Sequence, residues 1–120
     1  MRYIDYAFSA ALILFAAGHG FLGVQATYAL NTPEAMWSFS GGVLAWMIAA
    51  VNILRVSRPG DRGVAIISLA GALTWIGLMA WLAPVSGMAG DIRLWLFVGS
   101  AAGLAAFSLY SLRAPKRSQA

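Results

Sequence analysis

Four apolar runs govern what this chain can fold into: Ile4 to Leu30, Pro33 to Val56, Val64 to Ala83 and Ile92 to Leu112. A helix needs roughly 20 apolar residues, within a range of about 17–25, to cross the hydrocarbon core of a bilayer. Every run reaches that length, and the first is long enough to tilt or protrude. Inside hydrocarbon an isolated strand cannot satisfy its backbone groups, so each run reads as a helix. Composition agrees, with 61% of residues hydrophobic and 10% charged, where soluble domains have roughly 45–50% and about 25%. The expectation is an all-α fold: an integral-membrane, antiparallel four-helix bundle. It forms a single domain over residues 1–120, with helices near 4–30, 33–56, 64–83 and 92–112.

The breaks between runs carry helix punctuation. In "NTPEA", Thr32 is placed as N-cap, Pro33 as the first helical residue and Glu34 at the positive end of the helix dipole. "RPGDRG" reads as a tight polar turn, Pro84 discourages continuation of the third helix, and Asp91 is placed to cap the fourth. "RAPKRSQA" reads as a short basic tail. A cleaved signal peptide ending at "VQA" (Val24 to Ala26) fits poorly, because the apolar region is too long and Asp5 interrupts the basic segment. The absence of cysteine excludes a disulfide framework and thiolate chemistry.

Basic residues are unevenly distributed. Arg2, Arg55, Arg58, Arg62, Arg113, Lys116 and Arg117 are assigned to one side and only Arg93 to the other. The positive-inside rule then places both termini in the cytoplasm, as expected for an N-in, C-in protein of a cell inner membrane. Tyr28, Trp37, Trp81 and Trp95 fall at the outer helix ends, and Tyr3, Tyr6 and Tyr110 at the inner ends, as interfacial belts. The basic residues lie in short breaks between apolar runs, which matches contact with anionic lipid head groups rather than with nucleic acid.

"GHGFLG" (Gly18 to Gly23) has the letters of a dinucleotide-binding fingerprint. That fingerprint must follow a strand, open a helix and precede an acidic residue about 20 positions on, and none of this holds here. A packing surface explains the letters better. On an α-helix, Ala16, His19, Gly20, Gly23, Ala26 and Thr27 share one small face, opposite Leu14, Phe21, Val24 and Tyr28. Small faces recur as Ser38, Gly42, Ala45, Ala49 and Asn52 on the second helix, and Ala65, Ser68 and Ala72 on the third. The fourth has Gly99, Gly103 and Ala106. Such faces let helix backbones approach closely in lipid.

His19 is the only histidine, and titratable groups inside membrane helices usually face the bundle interior. Counting inward from the outer helix ends puts Trp46, Trp75 and Ala102 at its depth, with Thr74 and Ser100 nearby. These residues are candidates for a ligand or proton-relay layer, although a packing histidine bonded to a hydroxyl or carbonyl accounts for the same letters. Haem would need an axial partner such as Met47 or Met79, so no cofactor or metal site is expected. Asn52 reads as a cap or bridge between helices. Asp5, Glu34, Asp61 and Asp91 fall at helix ends or in loops, and no carboxylate is expected to be buried mid-membrane. Without paired acids, a zinc-protease motif or a nucleophile elbow, the chain reads as non-enzymatic.

"TPEAMWSFSGGVLAW" followed by "VNILR", from Thr32 to Arg55, resembles a pattern in small uncharacterised bacterial four-helix inner-membrane proteins. The resemblance implies a fold and no activity. Length and helix count are shared with small multidrug resistance transporters, which carry an essential glutamate in the first helix where this chain has only His19. They are also shared with fluoride channels, whose frequent dual topology the charge bias argues against. The leading expectation is an accessory or assembly subunit that contacts lipid and docks to a membrane-protein partner. The alternative is a small homo-oligomeric transporter or channel using the mid-membrane polar layer around His19.

Overall fold

The computed structural model describes residues 2–114, which are almost wholly helical. Four helices are long and apolar enough to cross a membrane: α1 (Arg2–Thr27), α2 (Pro33–Ser57), α3 (Arg62–Ser86) and α4 (Ile92–Arg113). A short 3-10 turn, Met88–Gly90, links the last two. The basic tail from residue 115, with Lys116 and Arg117, lies outside the described residues.

The helix starts follow local chemistry. Thr32 Oγ1 accepts from the Ala35 amide at 3.3 Å, and Pro33 opens α2. Asp61 and Asp91 cap α3 and α4 in the same way, accepting from Val64 and Arg93. One expected stop is overridden: α3 runs through Pro84 to Ser86. A proline so close to a helix end forfeits little of the backbone ladder. The chain turns instead at Gly87, whose φ of 68° lies in the left-handed region that glycine tolerates.

Neighbours in sequence are neighbours in space. α1 packs on α2 and α4, α3 packs on the same two helices, and α2 and α4 meet across the centre. The contacts run antiparallel. Asp5 meets Arg55 while Gly20 meets Gly42, and Phe8 lies at Gly103 while Phe15 lies at Phe97. Leu12, Ala45, Ala49, Ala72, Ala101 and Leu104 are fully buried along this seam. Alanine at facing positions lets the backbones approach closely, and the two leucines fill what remains.

α1 holds the main departure from regular geometry. Gly18–Gly23 winds as a π-helix, so "GHGFLG" sits inside a continuous helix and opens none. A side chain at Gly23 would press on the Gly18 carbonyl at 3.3 Å, so this glycine serves the widened turn rather than a neighbouring helix. The wider turn also shifts the register beyond it. The inward positions of α1 are Ala16, Gly20 and Val24, while His19, Ala26 and Thr27 face outward. The single small face expected from α-helical spacing is therefore split at the π-turn.

Candidate functional site

Gly20 and Gly42 form the close crossing of α1 and α2. A β-carbon added to either would lie 3.1 Å from the other's Cα. Gly103 receives the Phe8 ring, and an added β-carbon there would come within 2.7 Å of it. Gly99 and Ala106 do not pack: both are exposed, and a β-carbon on Gly99 would meet open space. The buried face of α4 is instead Leu94, Phe97, Ser100, Ala101, Leu104, Ala105 and Ser108.

The residues expected to make a polar layer are distributed differently. His19 is exposed on the outer surface of the π-turn, with Nε2 3.5 Å from Ser38 Oγ and its ring edge-on to Phe97 at 6.0 Å. Trp46 donates to the Ile13 carbonyl at 3.1 Å and stacks on Phe21 at 5.0 Å. Trp75 is buried, edge-on to Phe97, and its indole N–H has no partner among the described residues. Ser100 bonds the Leu96 carbonyl of its own helix, and Thr74 faces outward. Phe97 thus connects His19 with Trp75, while Trp46 and Thr74 lie elsewhere. Met47 is exposed and Met79 packs against the core.

Depth explains the discrepancy. Antiparallel pairing sets Phe15 against Phe97, which brings His19 level with Arg93 at the start of α4 rather than with Ala102. α1 continues eight residues past His19 to Thr27, whereas α4 begins one residue before Arg93, so counting inward from the helix ends misaligns these two. His19 and Arg93 share a pocket of about 230 Å³ with Leu14, Phe15, Gly18, Gly23, Leu96 and Phe97. Arg93 is ion-paired through Nε and Nη2 with Asp91, whose carboxyl it holds at about 2.

The buried polar chemistry lies at the opposite end of the bundle. Asp5 stands in the first turn of α1, as expected of a helix-end acid, but it faces inward and is 5% exposed. Arg55, expected in the second loop, belongs to the last turn of α2 and is 4% exposed. Arg55 Nη2 donates to the Asp5 carboxylate oxygens at 2.6 and 2.7 Å. Its Nη1 donates to Ser111 Oγ at 2.7 Å and to the Phe107 carbonyl at 3.3 Å.

A second group of bonds adjoins the pair. Ser68 donates to Asn52 Oδ1 at 2.7 Å, and Asn52 Nδ2 donates to the Ile48 carbonyl at 2.9 Å. Ser108 lies 2.8 Å from Ser68 Oγ and 2.8 Å from the Leu104 carbonyl, so its one proton must choose between them. Asp5, Asn52 with Arg55, Ser68 and Ser108 come from α1, α2, α3 and α4 respectively. Asn52 does bridge helices, and it does so as part of this cluster.

A charge pair in an apolar interior loses hydration that its mutual attraction recovers only with good geometry and further hydrogen bonds. Both are present here, and within this cluster Arg55 Nε is the one buried side-chain nitrogen without a partner among the described residues. The signal for this site was in the letters. Asp5 and Ser9 continue the inward line of Leu12 and Ala16, and Arg55 continues that of Ala45, Ala49 and Asn52. No protein-family model, curated protein or solved structure matches this chain.

Proposed function

We propose that this chain is a non-enzymatic accessory or assembly subunit of a larger complex in a bacterial inner membrane, with both termini and the α2–α3 turn in the cytoplasm. The observation that supports it is the use made of the buried polar groups. Side chains from all four helices bond one another around Asp5 and Arg55, which makes the interior a lock rather than a conduit. A transport path needs polar groups facing an opening, whereas these face each other. The outer surfaces remain apolar and carry exposed Met36, Trp37, Met47, Ile67, Leu73 and Trp81. Lipid or another membrane protein covers them.

The transporter reading keeps one supporting observation, that His19 borders a pocket with Arg93. The two readings separate experimentally. The tagged chain, extracted from native membranes in mild detergent, is expected to retain a different membrane protein in stoichiometric amount. Loss of the chain should leave that partner incompletely assembled on native gels. A homo-oligomer without a partner, together with vesicle uptake that His19→Gln abolishes while the fold survives, would establish transport instead.

A further inference from the structure

The α1–α4 surface carries a second cavity. A groove of about 500 Å³ is lined by Ile4, Ala7, Phe8 and Ala11 of α1 and by Trp95, Leu96 and Gly99 of α4, among others. Its size falls within the ~300–1,000 Å³ of ligand clefts. Small side chains form it. Ala7 and Ala11 stand one turn apart, and a β-carbon on Gly99 would project into empty space. Phe15 and Leu96 line both this groove and the His19–Arg93 pocket, so the two adjoin.

Together they have the polarity of an amphiphile. The groove is apolar apart from Ser100, whose hydroxyl donates to the Leu96 carbonyl of its own helix. From Ile4 to Phe15 it follows eleven helical steps, about 16 Å at the α-helical rise and close to half of the ~30 Å hydrocarbon thickness. By the pairings of Phe15 with Phe97 and of Phe8 with Gly103, it runs along the middle of α1 and α4 toward the inner end at Ile4, a path that one extended acyl chain can follow. At the Phe15 end the wall changes to Arg93 and His19, level with the start of α4, where Trp95 donates to the Ala89 carbonyl at 2.9 Å in an interfacial position. Arg93 spends Nε and Nη2 on Asp91, which leaves Nη1 to donate, and Gly23 leaves the His19 Nδ1 edge uncovered.

We propose that the α1–α4 groove holds one anionic phospholipid, its acyl chain between Ala7, Ala11 and Gly99 and its phosphate against Arg93 and His19. The site depends on the chain spanning a membrane but not on the accessory-subunit reading, and neither proposal's failure entails the other's.

Native mass spectrometry of the full chain, released from detergent containing equimolar phosphatidylglycerol and phosphatidylcholine with identical acyl chains, tests it. One bound phosphatidylglycerol per chain is expected, preferred about fivefold to tenfold, as one basic contact to an anionic head group implies. Arg93→Gln should remove the preference and keep weak retention of both lipids. Gly99→Leu should fill the groove and abolish retention of either, with the thermal unfolding midpoint unchanged because Gly99 packs against nothing. Equal retention of the two lipids, retention unaffected by Gly99→Leu, inorganic phosphate bound alone as tightly as the lipid, or a lipid-free dimer that Gly99→Leu dissociates would each overturn the proposal.

Discussion

Arg55 is the cation of a buried ion pair, 4% exposed in the last turn of α2. It stands three residues before Arg58 and the polar turn, so it counts as a loop charge, yet it bonds Asp5, Ser111 and the Phe107 carbonyl inside the bundle. Removing either member of the pair strands the other charge in an apolar interior. Arg55→Met and Asp5→Leu should each therefore cost about 3–5 kcal/mol. The double variant should recover most of that loss, because two apolar side chains of similar volume leave no orphan. Unfolding in mixed micelles measures all four proteins, and additive losses would show that the two residues are not coupled. Glycines sort by the same local test. Gly20→Leu and Gly103→Leu force α1 off its neighbours or displace Phe8, and should each cost about 1–3 kcal/mol or more. Gly99→Ala enters open space and should change stability by less than about 0.5 kcal/mol. The sequence pointed to all three as packing glycines, since a G-x-x-x-G spacing says nothing about which side of α4 it occupies.

At the level of the helix, the π-turn decides which faces meet. Helix number and the caps at Thr32 and Asp91 were legible, because long apolar runs and capping residues act locally, whereas α3 runs past the stop expected at Pro84. The phase of α1 beyond Ala17 was not. Projection at the α-helical angle put Val24 outward, whereas Val24 is buried and His19 is exposed. The sequence does not announce the wider turn, and glycines at 18, 20 and 23 permit it without requiring it. The widened turn behaves as one extra residue, and removing one should restore α-helical winding while both flanks keep their inward faces. Deletion of Leu22, which is exposed, is accordingly expected to leave the melting temperature in detergent within a few degrees of the parent. Deletion of Ala10 lacks that compensation, and should rotate Asp5 and Ser9 away from Arg55 and prevent a stable bundle. Circular dichroism melts distinguish the outcomes, and equal damage from the two deletions would mean that the π-turn does not set the register.

For the whole molecule, orientation depends on charges that the fold redistributes. Burial of Arg55 against Asp5 withdraws it from the loops, because its charge is neutralised inside the bundle. Arg93 is likewise paired with Asp91 at the opposite end. Arg2, Arg58, Arg62 and Arg113 remain at the end that carries both helix termini and the α2–α3 turn, with Lys116 and Arg117 following in sequence. The bias that drives the positive-inside rule thus survives removal of the two paired arginines, and it predicts a cytoplasmic C-terminus. A green fluorescent protein fused after Arg113 should fluoresce, and alkaline phosphatase fused at the same place should be inactive, since it matures only outside the cytoplasm. Replacing Arg58 and Arg62 with serine while adding lysines beside Glu34 reverses the bias and should invert part of the population, exchanging the two reporter signals in proportion. Arg55→Met must leave the wild-type reporter pattern unchanged, because a buried, paired arginine contributes nothing to the loop charge. If that substitution inverts the chain as effectively as the loop substitutions do, Arg55 acts on topology before it reaches its partner, and the ion pair forms only after insertion has been decided.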